Sequence, residues 1–231
     1  DLSGYQVLIA PLLYMCKDGY DEKIRKFVSQ GGTFVTTYFS GYVEDHDLVI
    51  TGGYPGRLRD ILGIWVEESD AIPVENIGLK HTFTYDGKQY PAEILCDLLH
   101  LEGAMSLASY DNDFYAGMPA VTRNSYGNGK AYYVATRSNA DFYHGLFERI
   151  LGECEITSLV TTGSDGNDRI SVEACVRENQ NGTFLFLLNH SEKTEEVTLK
   201  SGGTDLLSNR EYQDGETIEL AAKDVVLIKQ K

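Results

Sequence analysis

The sequence predicts an α/β domain with a mostly parallel sheet, followed by a small all-β sandwich. Three observations carry this. Strand-like and helix-like segments alternate from the first residues, and no helical period survives beyond about residue 153. The 231 residues, 42% apolar and 24% charged, are enough for two cores and exclude a disordered or fibrous chain. Residues 1–153 are read as the first domain and 154–231 as the second.

YQVLIAPLL (5–13) is a short continuous apolar run, the pattern of a strand buried on both faces. DGYDEKIRKFVSQGG follows as a helix, with Asp18 as N-cap and Ile24, Phe27 and Val28 as its apolar stripe. Gly31 or Gly32 stops it. GTFVTTYF (32–39) is a second strand, so the three elements form a βαβ unit with parallel strands and a right-handed crossover. GYVEDHDLVITGGYPGR (41–57) is a long loop, of the kind that carries function or an interface. LRDILG is a short helix.

KHTFTYDGKQYPAE reads as a strand, a turn at Asp86-Gly87 and the start of a helix near Pro91. ILCDLLHLEG continues that helix, with Ile94, Leu95, Leu98 and Leu99 on its buried side. Residues 104–137 hold further strands, including a hairpin with Tyr126-Gly127-Asn128-Gly129 at its tip. NADFYHGLFERILG (139–152) is the last helix. Beyond it ISVEACVRE, TFLFLLNH, EEVTLK, TIELA and VVLIK alternate with turns such as Asn181-Gly182 and Gly202-Gly203. That is the pattern of a β-sandwich.

Charge and composition narrow the function. A net charge of −15, spread over both parts, argues against nucleic acid or an anionic membrane as partner. No apolar run approaches the length of a membrane span. The start, DLSGYQVLIAP, has neither an initiator Met nor a basic leader, and reads as an internal point of a longer chain. Cys16, Cys96, Cys154 and Cys175 are far apart with no C-x-x-C, which fits a reducing cytoplasm.

The short motifs have plain readings. Gly127-Asn128-Gly129-Lys130 lies between two strands, so it is a hairpin and not a phosphate loop. Asp165-Gly166-Asn167-Asp168 lacks the spaced ligands of a calcium loop and reads as a polar turn. His46, His81, His100, His144 and His190 form no metal-binding pair. Asn181-Gly182-Thr183 and Asn189-His190-Ser191 are glycosylation sequons by formula and turn residues by context. Among 35 acidic residues no carboxylate pair stands out as a glycosidase couple. No cofactor and no metal are assigned.

A nucleophile of an α/β domain would sit on a tight turn after a parallel strand. Here that turn is Tyr38-Phe39-Ser40-Gly41. The segment leading to it resembles the class I glutamine amidotransferase fold, a flavodoxin-like architecture with a Cys-x-Gly elbow. Phe39 stands at the cysteine position and cannot attack anything. Ser40 is the remaining hydroxyl, without a surrounding G-x-S-x-G or a paired histidine.

The run from YQVLIAPLLYMCKDGYDEKIRKF through TYFSGYVEDHDLVITGGYPGRLRDILGI resembles the middle domain of glycoside hydrolase family 42 β-galactosidases. FLFLLNHSEKTEEVTLKSGGTDLLS resembles their small C-terminal β domain, and the likeness extends over essentially the whole chain. It implies a retaining galactosidase acting on terminal β-D-galactosides, with an N-terminal barrel, an amidotransferase-like trimerisation domain and a β domain. Both catalytic carboxylates and any zinc site would belong to the barrel, so no catalytic residue is carried onto this sequence.

The expected role is therefore non-catalytic assembly of a homotrimer together with the barrel of the same chain. Tyr42, Tyr54, Pro55 and Arg57 in the long loop, with Trp65 just beyond it, are the interface candidates, since Tyr, Trp and Arg are enriched at interfaces. Two other readings stay open. One is a free-standing amidotransferase-like hydrolase using Ser40. The other is a carbohydrate-binding module using Tyr212, with Phe184 and Phe186 expected to face the core.

Overall fold

The structure, a computed structural model, describes residues 1–73, 81–162 and 171–230. The turn expected at Asp165–Asp168 lies outside the described residues. The chain divides into two compact units, Asp1–Cys154 and Glu155–Lys231.

The first unit opens with β1 (Val7–Ala10), α1 (Tyr20–Ser29) and β2 (Thr33–Thr37). A single 3-10 turn, Gly56–Leu58, leads into the short α2 (Arg59–Leu62). Then come β3 (Ile64–Ala71), β4 (Thr82–Tyr85), β5 (Lys88–Pro91) and β6 (Glu93–Leu101). β7 (Met105–Tyr110), β8 (Pro119–Tyr126), β9 (Gly129–Val134), β10 (Thr136–Arg137) and α3 (Ala140–Glu153) complete it.

The βαβ unit is present, with β1 and β2 parallel in the register Val7↔Thr33. Ile24, Phe27 and Val28 are the buried stripe of α1. Its N-cap is Gly19 rather than Asp18, whose carboxylate takes the guanidinium of Arg57 instead. β1 is not buried on both faces. It lies at the edge of the sheet, and Ile9 is 50% exposed.

The large sheet has the order β1-β2-β9-β8-β7-β4-β5. Only β1–β2 and β2–β9 are parallel; every later pair is antiparallel. The sheet is thus mixed rather than mostly parallel, and the flavodoxin-like expectation is not met. The reason is local: between β2 and β9 the one described helix is the four-residue α2, too short for a crossover, while tight turns close hairpins. The tips of two of them are Asp86-Gly87 and Gly127-Asn128.

A second sheet, β10-β6-β3, holds the largest departure from the sequence reading. Residues 93–101, expected as a helix, form strand β6, in which Cys96, Asp97, Leu98 and Leu99 are buried in succession. Consecutive burial marks a strand covered on both faces, and a short apolar run fits that as well as a helical stripe. α3 forms as expected: Asn139 Oδ1 accepts the Phe142 N–H at 3.1 Å, and Phe142 packs edge-on against Phe83 and Tyr85.

The second unit contains β11 (Val160–Thr162), β12 (Val172–Asn179), β13 (Gly182–Asn189) and β14 (Glu195–Leu199). β15 (Gly203–Asp205), β16 (Glu211–Tyr212), β17 (Thr217–Leu220) and β18 (Val225–Gln230) follow. The sheets β11-β14-β17 and β12-β13-β18-β15-β16 are antiparallel and share one core of Leu185, Leu187, Val197, Leu199, Leu220 and Ile228. The sandwich matches expectation, but its inner face does not. Leu185 and Leu187 point inward, so Phe184 and Phe186 alternate onto the outer face, half-buried.

Candidate functional site

The chain leaves β2 through an elbow. Phe39 has φ 60° and Gly41 φ 71°, so a phenylalanine occupies the left-handed region directly after a parallel strand. That conformation is costly for any side chain with a Cβ and persists only where the surroundings enforce it. Here the enforcing group is Asp97 on β6, whose Oδ2 accepts the Phe39 N–H at 3.2 Å.

Asp97 is fully buried, and among the described residues its partners are two hydroxyls and one amide. Ser69 donates to Oδ1 and Tyr133 to Oδ2, each at 2.6 Å. The Tyr42 hydroxyl lies 2.6 Å from Ser69 Oγ and extends this chain of bonds into the long loop. Burial pushes the Asp97 pKa above the ordinary carboxylate range, opposed by the bonds from Ser69, Tyr133 and the Phe39 amide. Burial, aided by the nearby Asp97 charge, pushes the Tyr42 phenol up to about 12.

Ser40 does not serve as a nucleophile here. Its side chain is fully buried, accepts the Leu13 N–H at 3.0 Å and donates to the Thr37 carbonyl at 2.7 Å. Thr36 Oγ1 sits 2.8 Å away. The hydroxyl ties the start of the elbow to the segment after β1.

Above the elbow four rings form a column. Tyr14 stacks on Phe39 with centroids 5.5 Å apart, Phe39 on Tyr42 at 4.3 Å, and Tyr42 on Tyr54 at 3.7 Å. The loop is pressed tightly around it. A Cβ on Gly41 would lie 2.2 Å from the Pro55 carbonyl oxygen, so only glycine fits there.

These contacts decide the fate of the expected interface residues. Tyr42 and Pro55 are buried and form the underside of the loop. Tyr54 and Trp65 are half-buried; Trp65 stacks on His100 at 4.9 Å and lies under Arg59. Arg57 is held 2.5 Å from Asp18 and 3.8 Å from Glu44. The structure thus brings Tyr42 and Tyr54 into ring contact and sets Pro55 against Gly41.

The exposed side chains of this region are others: Leu12, Tyr14, Leu48 and Val49, at 47%, 36%, 59% and 60% exposure. Leu12 closes the apolar run 5–13, read as a strand, while Tyr14, Leu48 and Val49 lie in segments without helical or strand period. Among the described residues no group of three or more His, Cys, Asp or Glu is placed to hold a metal ion. Tyr212, the proposed sugar platform, is 6% exposed and belongs to the core of the second unit.

Comparison with known proteins bears on this geometry. Residues 1–157 match the family profile of the β-galactosidase trimerisation domain, and residues 169–230 that of the β-galactosidase C-terminal domain. The chain belongs to the glycoside hydrolase family 42 β-galactosidases. It is 41% identical to β-galactosidase BgaP of Planococcus sp. (strain L4) over 234 residues, covering 99% of this chain and 33% of that one. With β-galactosidase LacA of Lactobacillus acidophilus it shares 43% over 226 residues, 97% of this chain and 31% of that one. The crystal structure of β-galactosidase from Bacillus circulans sp. alkalophilus superposes with a TM-score of 0.91 at 38% identity, over 100% of this chain and 34% of that one. This family 42 chain therefore spans about a third of the length of the relatives it matches, and the part matched is their trimerisation and C-terminal domains.

Proposed function

We propose that this chain is the non-catalytic assembly portion of a β-galactosidase that hydrolyses terminal β-D-galactosides, and that it holds the parent enzyme as a homotrimer. The observation that carries the reading is the elbow. In the domain matched to a trimerisation profile, the turn after β2 carries Phe39, which has no nucleophilic atom, and a sealed, fully bonded Ser40 beside it. The chemistry of the parent then resides in its barrel. The four free cysteines and the bacterial relatives support a bacterial cytoplasm as its place of action.

Light scattering on the chain across a concentration series, beside turnover of an aryl β-D-galactoside, tests this. A mass of three chains without turnover is expected. A monomer at all concentrations overturns the assembly role, and turnover lost on Ser40→Ala establishes the hydrolase reading instead. The sugar-binding reading has no support at Tyr212, which faces the core.

A further inference from the structure

We infer that the open edge of β6 at Leu99–Leu101 is a docking slot for an extended, basic peptide segment of another protein, which it takes up as an added strand. The inference is independent of the assembly reading above. It starts from the alternation of hydrogen bonds along β6. Glu102 N–H bonds the Gly63 carbonyl at 2.7 Å and Ile72 N–H bonds the Ile94 carbonyl at 2.8 Å, so the even-numbered residues of β6 turn their backbone groups toward β3. The odd-numbered residues face the opposite edge, where Asp97 N–H meets the Ala135 carbonyl at 2.8 Å. β10 occupies that edge only opposite Glu93 and Cys96. Beyond it, no described strand pairs with Leu99 or Leu101 on that side.

A groove of about 740 Å³ lies at this edge, within the size range of ligand sites. Leu99, His100 and Leu101 line it in succession. The edge of a strand does that and a face does not, because only alternate residues reach one face. Met118 and Pro119 add apolar lining. The edge is also unguarded. Sheet edges are ordinarily blunted by lysine or proline, as β5 at the end of the large sheet is by Lys88 and Pro91. Leu98-Leu99-His100-Leu101 carries neither.

The chemistry of the slot names its occupant. Main-chain donors and acceptors spaced along a strand are met by another extended main chain, and an apolar lining takes that chain's alternate side chains. No lysine or arginine lines the groove, Glu67 lies 2.6 Å from His100 Nε2 at its side, and the whole chain carries a net charge of −15. A basic segment is therefore favoured over an acidic one. Bound there, it would continue the line of β10 along β6.

The test uses two labelled octapeptides, one alternating valine with lysine and the other valine with glutamate. Each is titrated into the whole chain by fluorescence anisotropy, and amide hydrogen exchange is read at saturation. The lysine peptide is expected to bind at least tenfold more tightly, and to slow exchange at Leu99 and Leu101 at least tenfold. Leu101→Pro deletes a donor that faces the slot and leaves the β3 ladder intact. Ala116→Arg, at an exposed position lining the groove, sets a cation in it and keeps the fold. Each variant should weaken the lysine peptide at least tenfold. Equal binding of the two peptides overturns the basic occupant. Binding by neither, or binding that leaves exchange at Leu99 and Leu101 unchanged, overturns the slot. Protection of those amides that rises with the concentration of the chain alone gives the edge to a second copy and overturns the proposal.

Discussion

Phe39 donates its backbone N–H to the buried carboxylate of Asp97, 3.2 Å away, while holding a left-handed φ of 60°. The elbow is thus fixed by a carboxylate at its back instead of presenting a reactive atom at its front. The same carboxylate, through Ser69 and Tyr42, supports the loop that follows.

Replacing Asp97 separates its charge from its bonds. Asp97→Asn keeps a carbonyl oxygen for Tyr133 and the Phe39 amide and turns its NH2 toward Ser69, so it costs no more than about 1.5 kcal/mol. Asp97→Ala leaves three donors without an acceptor and costs about 3–5 kcal/mol. The raised folded pKa means that the folded state holds its proton longer than the unfolded chain. Wild-type stability therefore falls, relative to Asp97→Asn, as pH rises from the ordinary carboxylate range to the folded pKa. Urea melts of both proteins across that range read the difference directly.

Glu153 gives the opposite dependence. Its carboxylate is only partly buried, and bonds from Lys130 at 2.6 Å, Tyr132 at 2.8 Å and Arg149 at 3.1 Å outweigh desolvation and lower its pKa to about 2. The stabilisation is complete above the unfolded value of 4.5 and is lost as pH falls toward about 2. Glu153→Gln should lose about 1–3 kcal/mol at pH 7, allowing roughly 1.4 kcal/mol per pKa unit less solvent screening. Chemical denaturation at neutral and acid pH should show the gap closing in acid.

Ser40→Ala tests the hydroxyl as a structural tie. The Leu13 N–H loses its acceptor and the Thr37 carbonyl a donor. The variant should be destabilised by about 1–3 kcal/mol in denaturant melts, with turnover of an aryl galactoside at the buffer rate before and after the change.

Gly41→Ala should be worse than its size suggests. Its φ of 71° is left-handed, and the added methyl would stand 2.2 Å from the Pro55 carbonyl oxygen. A loss of at least about 2 kcal/mol is expected, with faster proteolysis within residues 41–57 than in the wild type.

The opening βαβ unit was legible because Ile24, Phe27 and Val28 repeat with one period and Gly31 closes the helix. Strand β6 was not, since Ile94, Leu95, Leu98 and Leu99 satisfy a helical stripe. What decides the matter is that β3 and β10 pair with its two edges, a long-range fact. The loop is legible from its length and glycines, but residue type alone does not tell which of its side chains face outward. Tyr42 and Tyr54 stack face to face and Pro55 closes on Gly41, so the tyrosines turn inward and the less remarkable Leu48 and Val49 turn outward. Asp97 went unnoticed because its partners, Phe39, Ser69 and Tyr133, are spread across the sequence.

The pairing of β2 with β9 has a consequence during synthesis. β2 is buried along its whole length in the finished fold, yet its partner begins opposite Thr33 at Lys130. A ribosome adding about 5–20 residues per second needs several seconds to make the chain between them. For that interval a strand carrying Phe34 and Val35 has emerged with one of its two neighbours missing. The rate of elongation between Thr37 and Gly129 therefore sets how long that strand waits with an open edge.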